Sequence, residues 1–310
     1  MHRPACLLST LAVATLLLTA CGTERAGTGN SGAGASVPPP RTQVDDRGKD
    51  GVRITSLPLP SASPTPAGSH SVSADSLAAD SGAVASFEVT NEGTEALTYS
   101  VVVSFMSGDG GAMANQAATV RDVGPGKTVR GSVRAGQLPP SAPRVTQAKV
   151  LEVTKVPAGE APAEPGTTCP ASGIRVSADS GDAAMGLRIV GLHLENCGTR
   201  DYTVEGYPLL ELLDGDLKPV RGIQILHGSG EITTGAGPDD KPRPVTLKPG
   251  ESAISRLVWR NTTESGTPVN VPYVRVRAEA GVNPVTVTPR LDLGTTGKLG
   301  VKPWARAGTA

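Results

Sequence analysis

The sequence predicts a mainly β protein: two β-sandwich (immunoglobulin-like) modules behind a disordered tether. Three observations carry that expectation. Apolar residues alternate with polar ones along several runs, above all Leu97, Tyr99, Val101, Val103 and Phe105 against Thr98, Ser100 and Ser104, and alternation of that length belongs to a half-buried strand. Such runs recur at short spacing between turns rich in Gly, Pro and Asn, and none longer than a few residues follows the 3.6-residue period of a helix. The chain is also turn-rich and poor in large core residues, with 38 glycines and 27 prolines among 310 residues and only 3% aromatics.

The first element is an address. Arg3 precedes an apolar run, Ala5 to Leu18, which ends in Thr19, Ala20 and Cys21. A charged start, an apolar centre and a small residue before the cut are the parts of a secretory signal peptide, assigned to residues 1–20. The apolar run of about fourteen residues falls short of the roughly 20 that a membrane-spanning helix needs. Leu18-Thr19-Ala20-Cys21 resembles a bacterial lipobox. That resemblance implies cleavage before Cys21, lipidation of its sulfur, and a lipid anchor at the outer face of the cell membrane. The alternative is an ordinary signal peptide with Cys21 a bystander. Residues 21–70 are Gly-, Ser- and Pro-rich, a composition that cannot bury enough surface to offset ordering, and are expected to be the tether. The short stretch Val52-Arg53-Ile54 within it is assigned no fixed structure.

The first sandwich is placed at residues 71–157, with strands around Ala85 to Val89, Leu97 to Phe105, Ala118 to Val123, Val129 to Val133 and Val145 to Val156. Residues 158–168 read as a linker and 169–305 as the second sandwich. Its strands are expected at Ile174 to Ala178, Leu187 to Asn196, Tyr202 to Glu205 and Leu209 to Leu213, then at Val220 to Leu226, Ala253 to Arg260, Tyr273 to Ala280 and Val285 to Leu291. Each module has a Pro-Gly turn before a strand, Pro125-Gly126 and Pro249-Gly250, read as recurrent turn chemistry rather than as duplication.

Of the four cysteines, Cys6 leaves with the signal and Cys21 would carry lipid. Cys169 and Cys197 remain, an even pair in an oxidising compartment. The expected outcome is a disulfide, which would stabilise the fold by roughly 3–4 kcal/mol through loop closure; two free buried thiols or a pair of metal ligands are the alternatives.

Cys169-Pro170, the strand Gly191 to Asn196, Gly206-Tyr207-Pro208, Leu247-Lys248-Pro249-Gly250 and Trp259 together resemble a pattern from secreted actinobacterial lipoproteins, domain of unknown function 4232. The resemblance covers roughly residues 169–305. One departure is that the family's second cysteine commonly falls just before Gly-Tyr-Pro, where this chain has Tyr202, whereas here it is Cys197. The resemblance implies fold and location and no mechanism.

Formal net charge is zero, from 29 basic and 29 acidic residues, with no polybasic run to suggest nucleic acid. Gly126-Lys127-Thr128 lacks the glycine that a phosphate loop places at position 121, where Arg121 stands. No Gly-x-Ser-x-Gly or Ser-x-x-Lys occurs, and Lys218 spoils the calcium-loop echo of Asp214-Gly215-Asp216. His70, His193 and His227 are too few and too scattered to suggest zinc or a general base. The reading is a non-enzymatic binding or structural module with no catalytic residue, cofactor or metal. Its partners would be the membrane, through the lipid, and a cell-wall component or envelope protein. The rival is a wall-directed hydrolase or enzyme accessory using loop carboxylates among Glu205, Asp214, Asp216, Glu231 and Asp239. The aromatics Trp259, Tyr202, Tyr207, Tyr273 and Trp304 read first as core packing; the sharper alternative is a partner groove near Tyr207-Pro208 and Trp304.

Overall fold

In the computed structural model the described residues are 44, 46–58, 79–139, 142–164 and 166–308. The signal peptide, Cys21 and most of the expected tether lie outside them. All described residues fall in one unit, Pro40–Ala310. Among them the regular structure is strand, apart from one 3-10 turn at Ala158–Glu160.

The first module is a sandwich of two three-stranded antiparallel sheets. Val84–Thr90 lies between Val52–Ser56 and Thr128–Arg134; Leu97–Ser107 lies between Ala112–Val123 and Val145–Pro157. The alternation that predicts these strands sets their inner faces, so Ala85, Phe87 and Val89 meet Tyr99, Val101, Val103 and Phe105 in one buried cluster. Gly131, cross-strand from Phe87, is bare for a steric reason: a Cβ there would stand 2.4 Å from the Phe87 ring.

One expectation is corrected. Val52-Arg53-Ile54, read as unstructured tether, belongs to an edge strand registered on Val84–Thr90, Val52 opposite Val89 and Ile54 opposite Phe87. Val52, Ile54 and Leu57 are buried, and the Asp46 carboxylate accepts the Ile54 amide at 3.0 Å. Two apolar residues at period two, in polar surroundings, are too short a run to announce a strand; the sheet edge that receives them supplies the rest.

The second module packs a larger sheet over a three-stranded one. In the larger sheet the order is Asp182–Ala184, Leu187–Asn196, Ser252–Arg260, Lys298–Val301 and Gln224–His227, the last two parallel. Ile174–Ala178 and Ala305–Arg306 extend it at the Leu187–Asn196 and Ser252–Arg260 strands. The facing sheet is Leu209–Leu213, Tyr273–Arg277 and Val285–Val287. Leu192, Leu194, Leu257, Trp259, Val274 and Val276 share the core. Cys169 and Cys197 form a disulfide with Cα atoms 5.6 Å apart.

Both modules turn the same corner. Where Val84–Thr90 ends, Asn91 is fully buried; its Nδ2 donates to Glu95 O and Val123 O, each at 2.7 Å, and its Oδ1 accepts the Gly93 amide. Where Leu187–Asn196 ends, Asn196 does the same with Arg200 O, Leu247 O and the Gly198 amide. The Pro-Gly turns clasp these asparagines: Gly126 N donates to Asn91 O and Gly250 N to Asn196 O. Gly126 and Gly250 have φ of +66° and +85°, the conformation a type II turn needs at its second central residue.

Residues 158–168, expected as a linker, are bound to both modules over their described part: the Ala158 amide donates to Ala96 O and Arg121 meets Pro162 O and Glu164 on the first, while Glu160 is held by the second. Glu160 Oε2 accepts from Arg275 Nε at 2.8 Å and from the buried Thr286 hydroxyl at 2.6 Å, while Arg275 Nη1 donates to Glu211. Burial alone would lower the Arg275 pKa, but the two carboxylates outweigh it and raise it. Val156, Leu213 and Tyr273 form a small buried cluster with Ala161 and Leu217, and Leu217 also packs against the first module's core. The two sandwiches are thus joined by a packed seam.

Asn196→Ala removes the donors from two backbone carbonyls, the buried Leu247 O and the part-buried Arg200 O, and should cost about 3 kcal/mol at 1–3 kcal/mol per orphaned group. The check is a lower urea midpoint at unchanged slope, with Thr203→Ala, which loses only an exposed hydroxyl pair to Thr246, staying within about 0.5 kcal/mol of the parent.

Candidate functional site

The second module carries an open groove of about 600 Å³. Its floor is the start of Ser252–Arg260, through Ile254, Ser255 and Arg256, and the closing segment Lys302 to Arg306. Its wall is the loop from Ala236 to Thr246, which contributes Pro238, Asp240, Lys241, Arg243 and Pro244.

Local chemistry fixes these parts. The buried Ser255 hydroxyl donates to Lys302 O at 2.6 Å, and the Lys302 amide donates to Arg256 O at 2.9 Å. Trp304 is anchored twice, its amide to Gly206 O and its indole N–H to Ala278 O. The nearly buried Lys302 ammonium reaches the wall from below, donating to Gly237 O at 3.0 Å and Pro238 O at 2.8 Å, with Asp239 Oδ1 at 3.6 Å. Asp239 in turn accepts the Ser229 and Gly230 amides and the Ser229 hydroxyl. Gly228 permits this approach, since a Cβ there would lie 2.6 Å from the Asp239 carboxylate. The wall is therefore clamped by one lysine and one aspartate.

Five cations line the groove against a single carboxylate, Asp240. Two are engaged: Lys302 as above, and Arg306, whose guanidinium meets Glu251 Oε2 at 2.6 Å and Thr246 O. The Lys248 amide and then Arg306 hold the Glu251 pKa below its ordinary value. Lys241, Arg243 and the half-buried Arg256 have no side-chain partner among the described residues.

The residues singled out in the sequence fall elsewhere or serve structure. Cys21 lies outside the described residues. Cys169–Cys197 staples the Asn196 corner. Asp214 Oδ1 accepts the Asp216 and Lys218 amides and so builds the hairpin that carries Leu217 into the seam. Glu231 pairs with Lys298, Asp239 holds the groove wall, and Glu205 is exposed. His193 Nε2 meets Asp179 Oδ2 at 3.1 Å, but the other oxygen of Asp179 is spent on the Gly181 and Gly191 amides. Trp259, Tyr202 and Tyr273 are core or seam residues with satisfied polar atoms. Tyr207 stacks on His227 with ring centroids 4.0 Å apart. Among the described residues no three His, Cys, Asp or Glu side chains converge as a metal site would require.

Of the alternative partner groove near Tyr207-Pro208 and Trp304, only the buried Trp304 lies in this lining, and the charge of the groove is not foreseen from the sequence. The only linear signal was Asp240-Lys241-Pro242-Arg243-Pro244, charges interleaved with prolines. Arg256 occupies the outward position of an ordinary alternating strand, and only the fold sets the loop over it.

Residues 169–308 match the family described as Domain of unknown function (DUF4232), a span that takes in the second sandwich and the whole groove. No curated protein matches the chain.

Burial alone would raise the Asp239 carboxyl, but the Ser229 and Gly230 amides, the Ser229 hydroxyl and the Lys302 charge bring it below the ordinary value. A depressed carboxyl stabilises the fold above its unfolded pKa of about 3.9, and that stability is lost as pH falls through the folded value. The melting temperature of the parent should therefore exceed that of Asp239→Asn near neutral pH, and the gap should close on acidification below about pH 4. A gap that stays constant through this range would remove the clamp.

Proposed function

We propose that this protein is a lipid-anchored, extracytoplasmic binding module of the cell envelope, acting by recognition rather than catalysis and without a cofactor. The observation that carries the reading is the groove: open, basic, held rigid from beneath, and supplied with cations that the fold itself does not use. An open cleft with a few fixed polar groups is the usual form of a recognition site. The loop carboxylates that a hydrolase would need are largely committed elsewhere, Asp214 to a turn, Glu231 to an ion pair and Asp239 to the clamp.

The anchor rests on the lipobox-like Leu18-Thr19-Ala20-Cys21. Two or more acyl chains, at about 0.8 kcal/mol per buried methylene, hold a protein at a membrane. The packed seam then presents both sandwiches as one body. The signal peptide also accounts for the disulfide, which belongs to an oxidising compartment.

Intact mass of protein from the native membrane fraction, beside Cys21→Ala, tests the address. The expected result is a mature chain that begins at Cys21, carries acyl mass, and leaves the membrane in the variant. Unmodified chain in the medium in both cases would sink the anchor. Recognition is tested separately: soluble Cys21→Ala protein should cosediment with isolated envelope fragments, and its failure to do so would sink the binding role.

A further inference from the structure

We infer that the groove of the second module holds an extended polyanion, a linear polymer bearing phosphate or carboxylate groups, with Arg256 as its central anchor and Lys241 and Arg243 on the rim. The inference rests on the binding role proposed above and names the ligand class.

Charge is the first argument. Over the whole chain basic and acidic residues balance, yet the groove lining holds five cations and one carboxylate. Asp239 and Glu251 answer Lys302 and Arg306. Lys241, Arg243 and Arg256 face only Asp240, so the surplus is local and unanswered.

The second argument is Arg256 itself. Taking a guanidinium partly out of water is costly unless an anion meets it. The fold supplies one to Arg175, which has Glu195 at 2.6 Å, and to Arg275, which has Glu160 and Glu211 at 2.8 and 2.7 Å; the half-buried Arg260 and Arg277 meet no carboxylate, but neither of them lines the groove. Arg256, half-buried on the strand Ser252–Arg260, has none. Its planar fork suits phosphate or carboxylate oxygens, which it can grip in pairs.

Shape decides between a point anion and a chain. A cleft of about 600 Å³ that is open to solvent is far larger than one phosphate, and its three uncommitted cations come from two separate elements, the strand and the wall. Ile254 and Pro244 lie among them and offer apolar surface to the carbon backbone between charged groups. Neutral glycans and nucleic-acid bases are gripped largely through exposed aromatic faces. The one aromatic in this lining, Trp304, is 2% exposed.

The test is fluorescence anisotropy on the full mature chain in detergent, with labelled inorganic polyphosphate, poly-glutamate and dextran. Binding to one or both polyanions and not to dextran is the expected result, and the stronger of the two identifies the anion as phosphate or carboxylate. Arg256→Gln should weaken that binding about tenfold or more, and the Lys241→Gln, Arg243→Gln double variant should flatten its dependence on salt by about one unit of log–log slope per cation removed. Lys149→Gln, which removes an exposed charge from the first module, should leave binding unchanged. The inference is overturned if neither polyanion binds, if dextran binds equally well, or if Arg256→Gln behaves like Lys149→Gln. Cosedimentation of the Cys21→Ala protein with envelope fragments alongside any of these results would leave the binding role standing and reject the polyanion.

Discussion

The buried carboxamides of Asn91 and Asn196 each close the point at which the chain leaves one sheet for the other, and both sandwiches depend on that closure. At such a corner the backbone leaves its ladder, and the carbonyls of Val123 and Leu247, each the last residue of its strand, take their hydrogen bond from the asparagine side chain. A buried carbonyl left unpaired costs about 1–3 kcal/mol. One asparagine supplies two donors and an acceptor, and the Pro-Gly turn of the next strand fastens its backbone from outside. The modules differ around this shared device: Cys197 follows Asn196 and brings the disulfide, where Glu92 follows Asn91.

The same comparison shows where the groove comes from. In the first module the chain runs from the Asn91 corner to the Gly126 turn through little more than two long strands, Leu97–Ser107 and Ala112–Val123. In the second, the stretch from Asn196 to Gly250 also holds the Leu209–Leu213 strand, the Leu217 hairpin, the parallel edge strand Gln224–His227 and the loop from Ala236 to Thr246. The extra chain does two jobs. Its hairpin fills the seam against the first module, and its loop becomes the groove wall. The common plan supplies stability, and the site is an addition to it.

The sequence was informative wherever the determining interaction was local. Leu97 to Phe105 alternates for long enough that its buried face can be read directly, and Gly126 and Gly250 announce their turns. Val52 and Ile54 failed because two apolar residues carry no period; Phe87 and Val89, more than thirty positions away, make them a strand. Residues 158–164 do join the two modules, but the contacts that order them are equally invisible in the sequence. Ala and Pro around Glu160 look like a linker, and its order comes from Arg275 and Thr286. The two Pro-Gly turns were seen, but the asparagine that each one grips was not connected to them, because that pairing spans 35 residues in one module and more in the other. The groove was the least legible feature. Nothing local distinguishes Arg256 from any outward residue of a strand.

Rigidity connects the corner, the seam and the groove. A surface cation on a free loop gains little from meeting an anion, because ordering the side chain and its backbone offsets the attraction. Here the wall is already ordered. Lys302 and Asp239 hold it from beneath, and Pro238, Pro242 and Pro244 alternate with Asp240, Lys241 and Arg243, so that the backbone has few conformations to lose. Arg256 stands on a strand paired along its length with Leu187–Asn196, the strand that ends in Asn196. The spacing of the cations is thus set by the sheet and by the corner that closes it, before any ligand arrives. That arrangement favours selectivity for the repeat of a polyanion over attraction to negative charge in general, because a rigid set of cations rewards only the anions that fall in step with it.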